Sequence, residues 1–207
     1  MIQIESTKGP FAKPSIAVKA ARALARADAM GLLPEHERRV TLDISTFLRL
    51  ASRLRRVGIA SDVGAFLGSQ EIEHEPQLLE RYLDRLADAL ETSPVPASEW
   101  KHLVPLLRME LLPRLLGISP VSVRRYARAT RSTPDDVAAR LHWLALIVGD
   151  LTGAYNDLGV RQWFHRKRVQ LGGQAPLETL TGTWMPDDPG PKHVRQLAYA
   201  LTSSPAT

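Results

Sequence analysis

Cysteine is absent from the chain. Disulfides and thiolate metal ligands are therefore excluded, as suits a reducing compartment. No apolar run approaches the ~18 residues that cross a bilayer, so no membrane span is expected. The N-terminal MIQIESTKGP lacks a basic start followed by an apolar core, so no signal peptide is expected and a cytoplasmic location is. Catalytic signatures are missing too. The histidines His36, His74, His102, His142, His165 and His193 are scattered, and none pairs at metal-ligand spacing. No phosphate-cradling glycine loop and no nucleophile elbow occurs. Asp135-Asp136 is explained by helix-dipole compensation rather than as a catalytic pair. These absences predict a protein that is not an enzyme and carries neither metal nor cofactor.

What the chain does have is unevenly placed charge. Residues 1–100 carry 13 Lys and Arg against 14 Asp and Glu; residues 101–207 carry 14 against 8. Between Arg108 and Arg131 stand six arginines and a single acid, Glu110. Such a local excess is the electrostatic footprint of a phosphate binder.

The arginines fall on a recognisable pattern, LLPRLLGISPVSVRRYAR, from Leu111 to Arg128. It predicts a helix-turn-helix. Leu112, Leu115 and Leu116 form the inner face of a first helix. Gly117 can take the left-handed conformation that closes it, because it has no Cβ. Ile118 fills the corner. Ser119 caps a second helix, and Pro120 sits at its first position, where a missing N–H costs nothing. Val123 and Tyr126 face inward. Pro120, Val121, Ser122, Arg124, Arg125 and Arg128 are left on the outer face, which suits a major groove. Val121 and Ser122 would approach base edges, Arg124 or Arg125 would fork to a guanine, and Arg128, with Arg114 and Arg131, would meet phosphate. Pro113 disturbs the pattern: either the first helix starts as late as Leu112 or it is kinked.

Elsewhere the chain shows helical periodicity and no sustained strand alternation. Ile16, Ala20, Leu24 and Ala27 make one stripe; Phe47, Leu50, Ala51 and Leu54, after a cap at Asp43, make another. A short helix is expected over Asp62 to Leu67, capped by Ser61. Leu79, Tyr82, Leu83, Leu86 and Leu90 form a stripe that fits either a core or a dimer interface. Thr92-Ser93-Pro94-Val95-Pro96-Ala97 reads as a linker. Thr133-Pro134-Asp135-Asp136 starts a long helix whose buried face runs from Val137 to Leu151. Trp163, Phe164, Leu171, Leu177 and Leu180 would form a satellite hydrophobic cluster with the last helix, over Lys192 to Leu201. Trp184 to Pro191 reads as a loop. The whole predicts an all-α fold. A flexible arm spans 1–14 and an N-terminal helical domain 15–91. A helix-turn-helix domain spans 98–157 and a small C-terminal helical subdomain 158–207.

Two stretches, LLGISPVSVRRYAR and GVRQWFHRKRVQLGGQAPLETLTG, carry a resemblance. The region from about Trp100 to Leu201 resembles the Xre/MbcA/ParS antitoxin family. Its members join an Xre-like helix-turn-helix to a small helical toxin-binding domain with a W-[LF] helix and an L-G-G-x-[TS]-P-L-x-x-L turn. The matching turn residues here are Leu171, Gly172, Gly173, Pro176, Leu177 and Leu180, with Ala175 where Thr or Ser is commoner. The resemblance implies autoregulation of transcription and neutralisation of a toxin, often of the RES class. The partner-binding residues it implies are Trp163, Phe164, Leu171, Pro176, Leu177 and Leu180. Double-stranded DNA, a toxin protein and a second copy of the chain are thus the expected partners.

Overall fold

The computed structural model describes residues 2–34, 39–59 and 76–203. The helix expected over Asp62 to Leu67, with its Ser61 cap, lies outside them, as do His36 and His74. The chain divides into two compact units. One comprises Met1–Asp28 and Leu32–Ser93, the other Ala29–Gly31 and Pro94–Thr207. The second unit therefore holds residues of both the expected helix-turn-helix domain and the expected C-terminal subdomain.

The first unit is mainly helical but not wholly so. Strand β1 (Gln3–Thr7) pairs in parallel with β2 (Arg39–Leu42), Gln3 opposite Arg39 and Thr7 opposite Leu42. Residues 1–14, expected as a flexible arm in an all-α chain, thus hold a paired strand. A 3-10 turn follows, and its Phe11 is fully buried, stacked on Phe47 with ring centroids 5.1 Å apart. All five residues of β1 are exposed, so no apolar alternation marks it in the sequence. Helix α1 (Pro14–Ala29) connects the strands, and α2 (Ile44–Arg56) follows β2. Asp43 caps α2 by accepting the Thr46 N–H at 2.8 Å.

Helix α3 (Pro76–Thr92) buries the whole stripe Leu79, Tyr82, Leu83, Leu86 and Leu90 within the chain itself. The alternative of a dimer-forming stripe is thereby removed, because these side chains already have their apolar neighbours. Ser15 bonds Glu80, Lys19 bonds Asp84 and Arg26 bonds Glu91. The constant offset between partners means that α1 and α3 run side by side in the same direction.

The second unit is built on α6 (Asp135–Leu151), which is buried along almost its entire length from Val137. Helices α4 (Pro96–Leu116) and α9 (Pro189–Ser203) pack against it. Helices α5 (Pro120–Ala127), α7 (Asp157–His165) and the single turn α8 (Pro176–Thr179) complete the unit. In the helix start Thr133-Pro134-Asp135-Asp136, Thr133 is the residue type that caps a helix. Its hydroxyl instead accepts the Trp100 indole N–H at 2.9 Å, and Pro134 takes the cap position without a side-chain bond. A buried indole donor needs an acceptor, and Thr133 supplies it.

Candidate nucleic-acid interface

The helix-turn-helix is formed by the last turns of α4, the corner at Gly117 and α5. Helix α4 is broken at Arg108, where φ is 60° and ψ 168°. Of the two alternatives left by Pro113, the structure takes the kink, which falls at Arg108, between Pro105 and Pro113. Beyond the break Leu112, Leu115 and Leu116 are fully buried. The helix then ends in a left-handed cap. Gly117 has φ of 64°, its N–H donates to the Arg114 carbonyl, and the Ile118 N–H donates to Pro113 at 3.1 Å. Ser119 Oγ accepts the Ser122 N–H at 3.1 Å, and the two serine hydroxyls are themselves bonded at 3.0 Å.

Helix α5 is anchored by Val123 and Tyr126, both buried, with the Tyr126 ring 6.0 Å from Trp100. It closes as α4 does: Ala129 takes φ of 54°, and the Thr130 N–H returns to the Arg125 carbonyl. On the other side Pro120, Val121, Arg124, Arg125 and Arg128 are exposed, as are Arg114 and Arg131, while Ser122 is half-buried. None of these five arginines forms an ion pair among the described residues. Val121, Arg124, Arg125 and Arg128 follow the spacing of one helical stripe, so three uncompensated cations and one apolar side chain share a face.

The sequence reading missed what holds this motif. Trp184, placed in a loop, is buried and donates its indole N–H to the Leu115 carbonyl at 2.8 Å. Leu115 lies in the last turn of α4, where carbonyls have no intrahelical partner. Arg140, buried and paired with Asp136 at 2.7 Å, donates to the Trp184 carbonyl. Beside this staple Gly117 meets Gly182 so closely that a Cβ would stand 2.0 Å from the Gly182 carbonyl oxygen. Gly117→Ala is therefore expected to cost about 3 kcal/mol: strain at positive φ plus a clash with backbone that cannot rotate away. Gly172→Ala, at the same φ but facing open space, should cost only about 1 kcal/mol. Urea unfolding of the two variants checks the difference; equal losses would show that the Gly182 contact yields freely.

The residues implied as partner-binding lie mostly inside. Trp163, Phe164, Pro176, Leu177 and Leu180 are buried and Leu171 is half-buried. Trp163 and Phe164 meet edge to face at 5.2 Å, and the Arg168 guanidinium lies over the Trp163 ring at 5.2 Å. The cluster is the core beneath α7, α8 and α9, and Arg161 ties α7 to the Leu106 carbonyl at 2.8 Å. Among the residues this region exposes are Leu158, Val169 and the cations Arg166 and Lys167.

One further polar pair lies apart from this face. Glu99 Oε1 and His142 Nδ1 are hydrogen-bonded at 2.6 Å, with Glu99 fully buried. Among the described residues no three His, Asp or Glu side chains gather at a spacing that would hold a metal ion, and no helix is long and apolar enough to cross a membrane.

Comparison with protein-family models, with curated proteins and with solved structures returned no match.

Proposed function

We propose that the second unit binds duplex DNA with sequence preference, that α5 enters the major groove, and that the protein is a cytoplasmic transcriptional regulator without enzymatic activity. The observation that carries this reading is the exposed stripe Val121, Arg124, Arg125 and Arg128, without an ion-paired acid among the described residues and mounted on a helix anchored by Val123 and Tyr126. A helix set against a second one across a tight corner presents its outer face to base edges, and arginine matches guanine with two parallel bonds. Arg114 and Arg131 flank the stripe as phosphate contacts.

Selection of bound sequences from random duplex DNA tests the proposal. The expected result is one enriched motif. Arg125→Ala should lose about 1–3 kcal/mol of discrimination at one base pair and retain weak, salt-sensitive binding. A variant that prefers the selected motif as strongly as the parent would remove Arg125 from the reading face.

A second reading, an antitoxin that neutralises a RES-like toxin while controlling its own operon, is favoured by one observation. Val169 is 91% exposed beside Arg166 and Lys167, on a loop supported by the Trp163 cluster. On this reading Trp163, Phe164, Leu177 and Leu180 hold the loop in shape and the exposed residues meet the toxin. Co-expression with the product of an adjoining toxic gene is expected to give a stable complex; neither rescue nor complex would end this reading.

A further inference from the structure

We infer that Val121 reads the C5-methyl group of a thymine, which makes a thymine at a fixed place in the target a determinant of specificity. The inference rests on the DNA-binding reading above and concerns what the tip of α5 recognises. Three observations carry it. Val121 stands in the first turn of α5 and is 51% exposed. It shares its helical stripe with Arg124, Arg125 and Arg128 and therefore faces whatever those cations face. Its polar neighbour Ser122 is half-buried, with its backbone N–H and its hydroxyl both bonded to Ser119, so the serine is committed to the cap.

The tip of the helix is the part that goes deepest into a groove. Base edges there offer donors, acceptors and one apolar feature, the thymine methyl. An isopropyl group makes no hydrogen bond and would leave a polar edge unpaired, a net loss. Against a methyl it gains the contact and excludes water. The size of that gain is that of one buried methyl-sized group, a factor of about four in affinity.

The test uses the full chain and its selected duplex at one salt concentration. Each thymine is replaced singly by uracil, which removes only the methyl. One position, or its symmetric pair, is expected to lose about fourfold in affinity per site. Val121→Ala should lose a similar factor on the thymine duplex and be indifferent to uracil at that position, because the two changes delete the two halves of one contact. Val121 is not in the core, and a melting temperature equal to the parent's confirms an intact fold. If no uracil substitution weakens binding, or if Val121→Ala keeps the parent's thymine-to-uracil ratio, the methyl-reading assignment is overturned while sequence-selective binding stands. If the parent enriches no sequence at all, the DNA-reading proposal falls, and this inference with it.

Discussion

Raising monovalent salt from ~50 to ~200 mM is expected to weaken the complex with the selected duplex by roughly ten-thousand-fold. A helix-turn-helix covers only a few base pairs, and specific affinity usually takes two half-sites about one helical turn, ~34 Å, apart. We therefore predict a homodimer on DNA. Arg114, Arg128, Arg131 and Arg166 are exposed and without acidic partners among the described residues, so each is free to neutralise a phosphate. Four per protomer release about eight counterions, and at ~0.9 per phosphate the slope of log K against log salt is near −7. A monomer on one site should give about half that slope. The dimer contact must use exposed surface, since the stripe from Leu79 to Leu90 and the Trp163 cluster are both spent on the chain's own core. Titrations at several salt concentrations, with light scattering of the complex, measure slope and mass together. A slope near −3.5 with a one-to-one mass would rule out the dimer.

The second large effect concerns stability. His142→Ala is expected to cost about 3–5 kcal/mol, because it leaves Glu99 buried without its hydrogen-bonded partner. Glu99 Oε2 already has no hydrogen-bond partner among the described residues, so the carboxyl depends heavily on the His142 bond. The double variant Glu99→Met, His142→Leu should recover to within about 1 kcal/mol of the parent, since apolar groups of similar volume need no partner. Urea unfolding of the two single variants and the double variant completes the cycle. The effect should reach the candidate interface: Glu99 precedes Trp100, whose ring packs against Tyr126 of α5. A loss under about 1 kcal/mol in His142→Ala would show that the carboxyl finds water or another donor, and that the pair does not hold α4 to α6.

Local chemistry alone determined much of the candidate interface. The Ser119 cap, the Gly117 corner, the inward Val123 and Tyr126 and the outward arginines all follow from rules that act within four residues: capping bonds, the steric freedom of glycine and the helical repeat. The stripes of α1, α2 and α3 were legible for the same reason. Whether Leu79 to Leu90 faced the chain's own core or a second copy was not, because a stripe states that it is apolar and not what covers it. Strand β1 was hidden because all its residues are exposed and its partner β2 lies a whole helix away. Trp184 looked like a loop residue because its acceptor, the Leu115 carbonyl, is 69 positions distant. The Glu99–His142 pair spans 43 positions and has no spacing rule of any kind. Such contacts exist only when the packing of separate helices brings the groups together. The residues of the candidate interface were thus set by the local sequence, whereas the supports that hold them, Trp184 on Leu115 and Gly182 against Gly117, were decided by the tertiary structure.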